Sequence, residues 1–272
     1  MKRSEERRLV QWFLDAYNYM HKETFRVTSW PEDESRNTPA VEALTTNSRL
    51  AMAIEHTLVQ PFEGERSDNA IFNRVIAPLD SDPTLVRPNL DVTVTTEVGA
   101  VPRGTNLNQL ATEVRRWLAL NLAAIPEGIS RHRLPGLPFR FEIVIEKILD
   151  DMPGFPGSLF VMRNRPKDTF DLVLRKALDS KLPKLLSTRA DRKVLLLERA
   201  DVLGGHFRFA VGIERYFTGQ TGHLRPDEIW LVNTVGLRKH GALSFFDLWP
   251  EYRRHLLFAK VEGTRMTINP TS

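Results

Sequence analysis

Residues 192–234 constrain the fold more than any other part of the chain. RKVLLLER (192–199) has the bounded apolar form of a strand, HFRFAVGIERYF (206–217) that of a helix, and DEIWLVNT (227–234) that of a second strand. Strands joined through a helix with short links run parallel, because the helix carries the chain back along the sheet to its starting edge. Such a unit requires a sheet flanked by helices.

The N-terminal third adds strands of the other sense. SEERRLVQWFLDAYNYM (4–20) reads as a helix: Ser4 caps it, acids fill the first turn, and Leu9, Trp12, Phe13, Ala16, Tyr17 and Met20 recur at helical spacing. TFRVTS (24–29), PAVEALTT (39–46) and RLAMAIEHTLV (49–59) read as three strands of a meander, with a polar loop from Pro31 to Thr38 and a tight connection at Thr46-Asn47-Ser48. Helices are expected over 63–78, 105–125 and 169–186, a strand or hairpin within 80–104, a basic Pro/Gly-rich turn, and a strand over 139–149. Ser158 to Met162 is a candidate short strand. The predicted fold class is α/β (α+β), a mixed sheet flanked by helices in one domain, with an insertion at about residues 80–135 and a partly ordered tail after Trp249.

Composition excludes several chemistries. The 272 residues contain no cysteine, so disulfides, thiolate nucleophiles and cysteine-held zinc or iron–sulfur sites are out. The seven histidines never pair at helical spacing, which removes the zinc helix with two histidines on one face. Any metal is then a hard cation on oxygen ligands. Lys and Arg number 38 against 34 acids, a net charge of +4 that permits a nucleic-acid partner without demanding one. Arginine pairs such as Arg115-Arg116 read individually as solvated faces. No apolar run approaches the length of a membrane span, and the first residues lead into an amphipathic helix and not a signal peptide; the expectation is a cytoplasmic protein with no membrane partner.

One strand carries an anomaly. In RLAMAIEHTLV the apolar run is broken by Glu55-His56-Thr57, and a carboxylate in a sheet is costly unless paired. Alternation puts Ala51, Ala53, Glu55 and Thr57 on one face and Met52, Ile54, His56 and Leu58 on the other. Glu42, between Val41 and Ala43, is a lone acid on the preceding strand, and antiparallel pairing across one turn can bring Glu42 and Glu55 together. Two close carboxylates repel unless a proton or cation lies between them, and a divalent metal there can polarise a phosphodiester and activate water. The plainer alternative has both acids facing solvent or arginines. His56, on the opposite face, reads as a hydrogen-bonded histidine at the core edge.

This pattern resembles the PD-(D/E)xK nuclease superfamily: helix, three-stranded meander, an acid on the second strand (Pro39-Ala40-Val41-Glu42), the Glu55-His56-Thr57 element on the third, then helix and strand. The resemblance, to an uncharacterised bacterial branch of that restriction-endonuclease-like fold, implies a Mg²⁺- or Mn²⁺-dependent nuclease. It implies Glu42, Glu55 and an opening-helix acid (Glu6, or Glu5) as metal ligands. Thr57 stands where the superfamily has its catalytic lysine. A migrated lysine is then sought in LRKALDSKLPKLL, where Lys176, Lys181 and Lys184 are candidates; Lys181 and Lys184 face one way and Gln60 is a further substitute. Lys181 is taken as catalytic with Glu42, Glu55 and Thr57, and Lys176, Lys184 and Arg66 as nucleic-acid contacts, with DNA preferred to RNA. The alternative is an inactive nuclease-fold subunit that binds nucleic acid or the partner proteins of a defence or mobile-element system. A glycosidase with paired carboxylates ranks lower, since no aromatic cluster accompanies Glu42 or Glu55.

Overall fold

Leu9, Phe13, Ala16 and Tyr17 form one apolar stripe of α1 (Arg3–His21), and that stripe is buried against a sheet. The structure, a computed structural model, describes residues 3–34, 40–149, 156–164, 168–200, 205–218, 225–250 and 253–269. It divides the chain into two units, one of Met1–Pro61 with Thr169–Ser272 and one of Phe62–Asp168. The insertion expected at residues 80–135 lies within the second.

The first unit is built on an eight-stranded mixed sheet. Its strands are β1 (Arg26–Ser29), β2 (Ala43–Thr46), β3 (Ala51–Leu58), β8 (Arg192–Arg199), β9 (Glu228–Asn233), β10 (Ala242–Trp249), β11 (Arg253–Glu262) and β12 (Arg265–Asn269), side by side in that order. β3, β8 and β9 run parallel, and the meanders on either side are antiparallel. Every residue from Val194 to Leu197 is buried, because both faces of β8 are covered. Val194 and Leu196 meet α1, with Met52, Ile54 and Trp230. Leu195 and Leu197 meet α5 (Phe170–Ser187) and α6 (His206–Thr218), through Leu174, Leu178, Leu182 and Phe209. Each such side chain contributes about 1.5–3 kcal/mol on burial, so the parallel centre anchors the unit.

The second unit holds α3 (Glu65–Val75), a 3-10 turn (Ala77–Ser81), α4 (Leu107–Asn121) and a four-stranded sheet ordered β5 (Gly128–Arg133), β6 (Glu142–Leu149), β4 (Leu90–Glu97) and β7 (Ser158–Asn164). Leu110, Val114 and Leu118 of α4 pack on Val92, Val94, Ile143 and Ile145. Asn106 caps α4, its side chain accepting the Gln109 N–H. At the other end the Lys147 ammonium, though buried, donates to the carbonyls of Leu122, Ala123 and Ile125, which the finished helix leaves without partners.

Five expectations are corrected. The strands form two sheets, not one. The turn around Arg131-His132-Arg133 is strand β5, whose residues are largely exposed and so lack an apolar pattern. The tail after Trp249 is not an appendage: β11 and β12 continue the large sheet beyond β10. The strand expected over 39–46 starts only at Ala43, after a bend at Glu42, and the Pro31–Thr38 loop contains a single helical turn, α2 (Pro31–Glu34); residues 35–39 lie outside those described.

Candidate functional site

Glu55 is fully buried on β3, on the face that α5 covers. The β2–β3 register pairs Ala43 with Ile54, so Glu42 comes level with Glu55 just where the ladder ends. The main-chain N–H of Glu42, free of a ladder partner, donates to Glu55 Oε2 at 3.2 Å. The other oxygen, Oε1, is held by two ammonium groups from α5: Lys181 Nζ at 2.8 Å and Lys184 Nζ at 2.9 Å. One helical turn separates the two lysines, so both reach the same oxygen. Lys184 Nζ also stands 3.7 Å from Glu32 Oε1, on α2.

Glu42 contrasts with Glu55. Its carboxyl is pushed up to about 8, first by burial, then by hydrogen-bonding contact with the Glu32 carboxyl, and further by the charges of Glu32, Glu6 and Glu55. Glu42 thus holds a proton at neutral pH where an ordinary glutamate is ionised. At Lys181 burial works against the charge, but attraction and hydrogen bonding to Glu55, with the charges of Glu32 and Glu42, outweigh it and hold the amine above the ordinary lysine range. Lys181 is a cation here and not a base.

Glu42, Glu55, Lys181 and Lys184 are therefore brought together, although they come from the edge of β2, β3 and α5, and the charge of Glu6 on α1 is felt at Glu42. Thr57 shares the face of Glu55 two residues on and is half-buried. Lys176 is exposed on α5, about 140° around the helix from Lys181. Arg66 lies on the exposed first turn of α3, in the second unit. Glu32 was not anticipated. The signal for it was legible: Trp30-Pro31-Glu32-Asp33-Glu34 has proline at a first helical position followed by acids, a helix-start pattern in what reads overall as a loop.

The opposite face of β3 carries a second buried polar group. His56 Nε2 lies 3.3 Å from Glu198 Oε2, and Thr234 Oγ1 donates to Glu198 Oε1 at 2.9 Å. The Thr234–Glu198 bond links β8 to the end of β9, while His56 Nε2 and Glu198 Oε2, though close, make no hydrogen bond, so the hydrogen-bonded histidine expected at position 56 is not formed at that nitrogen.

Oxygen donors from Glu42, Glu55, Glu32 and Glu6 are of the type a hard divalent cation takes, and the crowding that protonates Glu42 is the excess negative charge such an ion neutralises. Among the described residues no three acidic or histidine side chains are grouped so that they could hold a metal ion. Also among the described residues, no helix is long and apolar enough to cross a membrane. Set against protein-family models, curated proteins and solved structures, the chain matches none.

Proposed function

We propose that the first unit is a metal-dependent phosphodiesterase acting on nucleic acid, DNA in preference to RNA, with a site of the PD-(D/E)xK type. The observation that carries this reading is the delivery of Lys181 and Lys184 from α5 onto Glu55, beside Glu42. It supplies from a helix the amine for which the third strand has only Thr57.

Glu42 and Glu55 would hold Mg²⁺ or Mn²⁺, with Glu6 and Glu32 alongside, and the ion would supply Lewis-acid polarisation of the phosphodiester and an acidified water. The chain's own groups do the rest. Lys181, 26% exposed against 12% for Lys184, is the ammonium with access to a bound phosphate, and its raised pKa keeps it charged as negative charge develops there. Glu55, inaccessible to water, is a fixed acceptor whose position α5 and the Glu42 main chain both constrain.

The test is incubation of purified protein with labelled single- and double-stranded DNA and RNA in Mg²⁺, Mn²⁺ or EDTA. Cleavage that EDTA and Glu55→Ala both abolish supports the proposal; no cleavage in any of these conditions refutes it. One observation favours a second reading: both oxygens of Glu55 are already engaged by the chain's own donors. A nuclease-fold subunit that binds nucleic acid or partner proteins without cutting would keep such a closed arrangement, and metal-independent binding without cleavage is its signature.

A further inference from the structure

We infer that the two lysines of α5 have different tasks: Lys184 is a positioning residue that locks Glu32 into the site, and Lys181 alone is left to meet the substrate. This rests on the nuclease reading and reassigns Lys184, which the sequence suggests as a nucleic-acid contact.

The contacts close into a ring. Glu55 Oε1 is ion-paired with Lys184 Nζ at 2.9 Å, Lys184 stands 3.7 Å from Glu32 Oε1, the Glu32 carboxyl acts in turn on that of Glu42, and the Glu42 N–H returns to Glu55 Oε2 at 3.2 Å. Lys184 is the ring's cation, lying between two carboxylates that would otherwise repel across it. Lys181 touches the ring at a single atom, Glu55 Oε1 at 2.8 Å, and is the more exposed of the two. An ammonium between two acids is held in place and shielded from a phosphate; one with a single acid partner and an open side can turn to a phosphate and remain anchored. α2 has only four residues, too few for a helix to hold its own position; the Arg7–Asp33 ion pair ties it to α1, and the Lys184 contact draws the Glu32 side chain toward β3.

The experiment compares Lys184→Met, Lys184→Arg, Glu32→Gln and Lys181→Met in three measurements: cleavage kinetics in Mg²⁺, DNA binding in EDTA as a function of salt, and urea unfolding. For Lys184→Met we expect kcat to fall about 10- to 100-fold with KM unchanged, the loss that a misplaced site group brings. The salt slope of DNA binding should stay at the wild-type value, because no phosphate contact is removed. Glu32→Gln, at a side chain 45% exposed and tolerant of change, should give a kcat loss of the same size, and the double variant no further loss. Lys184→Arg should recover most of the activity, since a guanidinium also bridges two carboxylates. Lys181→Met should instead flatten the salt slope by about one. A rise in KM and a flattened slope for Lys184→Met would overturn the inference, as would multiplying losses in the double variant. Should the wild-type chain neither bind nor cut DNA, the nuclease reading falls by itself. The ring is then judged on urea unfolding, where non-additive losses for Lys184→Met and Glu32→Gln uphold it and additive losses reject it.

Discussion

Two carboxylates of the first unit, the half-buried Glu228 and the buried Glu42, lie on the same sheet and are solved in opposite ways. Glu228, at the start of β9, accepts from Tyr17 Oη at 2.9 Å and from Trp230 Nε1 at 2.7 Å, and Arg192 stands 3.8 Å away while also donating to the Tyr17 hydroxyl. Each oxygen has a donor and the charge a counter-ion. Tyr17 responds as a group beside a fixed anion should: burial and the Glu228 charge raise its pKa against the opposing effect of Arg192. Glu42 has the reverse surroundings. It faces Glu32, Glu6 and Glu55 and keeps a proton to survive there. Glu228 is matched by donors within the fold. Glu42 is crowded by other acids at a cost in stability, and perturbed groups of that kind cluster at functional sites.

The largest effect expected from this contrast is on catalysis. Glu55→Ala should reduce cleavage by about 10³-fold or more, a loss of the size seen when a preorganised electrostatic group is removed, whereas Glu228→Gln should leave kcat within about threefold of wild type. Parallel cleavage assays on the two purified variants check this, and equal losses would erase the distinction. Stability should respond in the opposite sense. Glu228→Gln removes the counter-ion of Arg192 and leaves one of two buried donors poorly matched, at a cost of about 1–3 kcal/mol in urea unfolding.

Glu42 sharpens the comparison through pH. Its folded pKa of about 8 lies above the ordinary 4.5, so between these values the unfolded chain binds fewer protons than the folded one. Its contribution is fully present below about pH 4.5 and is lost as pH rises through 8. Glu42→Gln removes the titration. The variant should be more stable than wild type by about 1–3 kcal/mol at pH 9, with the difference shrinking toward pH 4.5. Thermal or urea unfolding across that range is the measurement, and a difference independent of pH would mean that Glu42 is ionised in the fold. The smallest effect is reserved for Thr57. With the amine supplied by α5, Thr57→Val should change kcat by no more than about threefold, the worth of one weak hydrogen bond; a loss approaching that of Glu55→Ala would return Thr57 to the catalytic set.

Local pattern made much of the fold legible. RKVLLLER forms β8 over the expected residues, and the helix expected over 169–186 forms as α5 within a residue at each end, because an apolar run bounded by charges and a 3.6-residue stripe are both properties of adjacent residues. The misses share a cause. In β10, Leu243 and Phe245 pack on one side of the sheet and Phe246 and Leu248 on the other, so both faces are apolar and no apolar–polar alternation marks the strand. β5 is an edge strand with little burial to print a pattern.

At the candidate site the division is sharper. The chain by itself determined that Glu42 and Glu55 lie 13 residues apart across one turn, that Glu55 and Thr57 share a face opposite His56, and that Lys181 and Lys184 project together; each follows from the period of a strand or a helix. Only the tertiary structure decided that α5 lies over β3 with both ammonium groups on Glu55, that Glu32 enters from a single helical turn, and that Glu42 gives its N–H to Glu55 while its carboxyl keeps a proton. Those contacts join residues as many as 152 positions apart, Glu32 and Lys184 among them. No local periodicity encodes that distance, and helix and sheet are brought into register by the apolar layer of Leu174, Leu178 and Leu182 against Ala53 and Leu195.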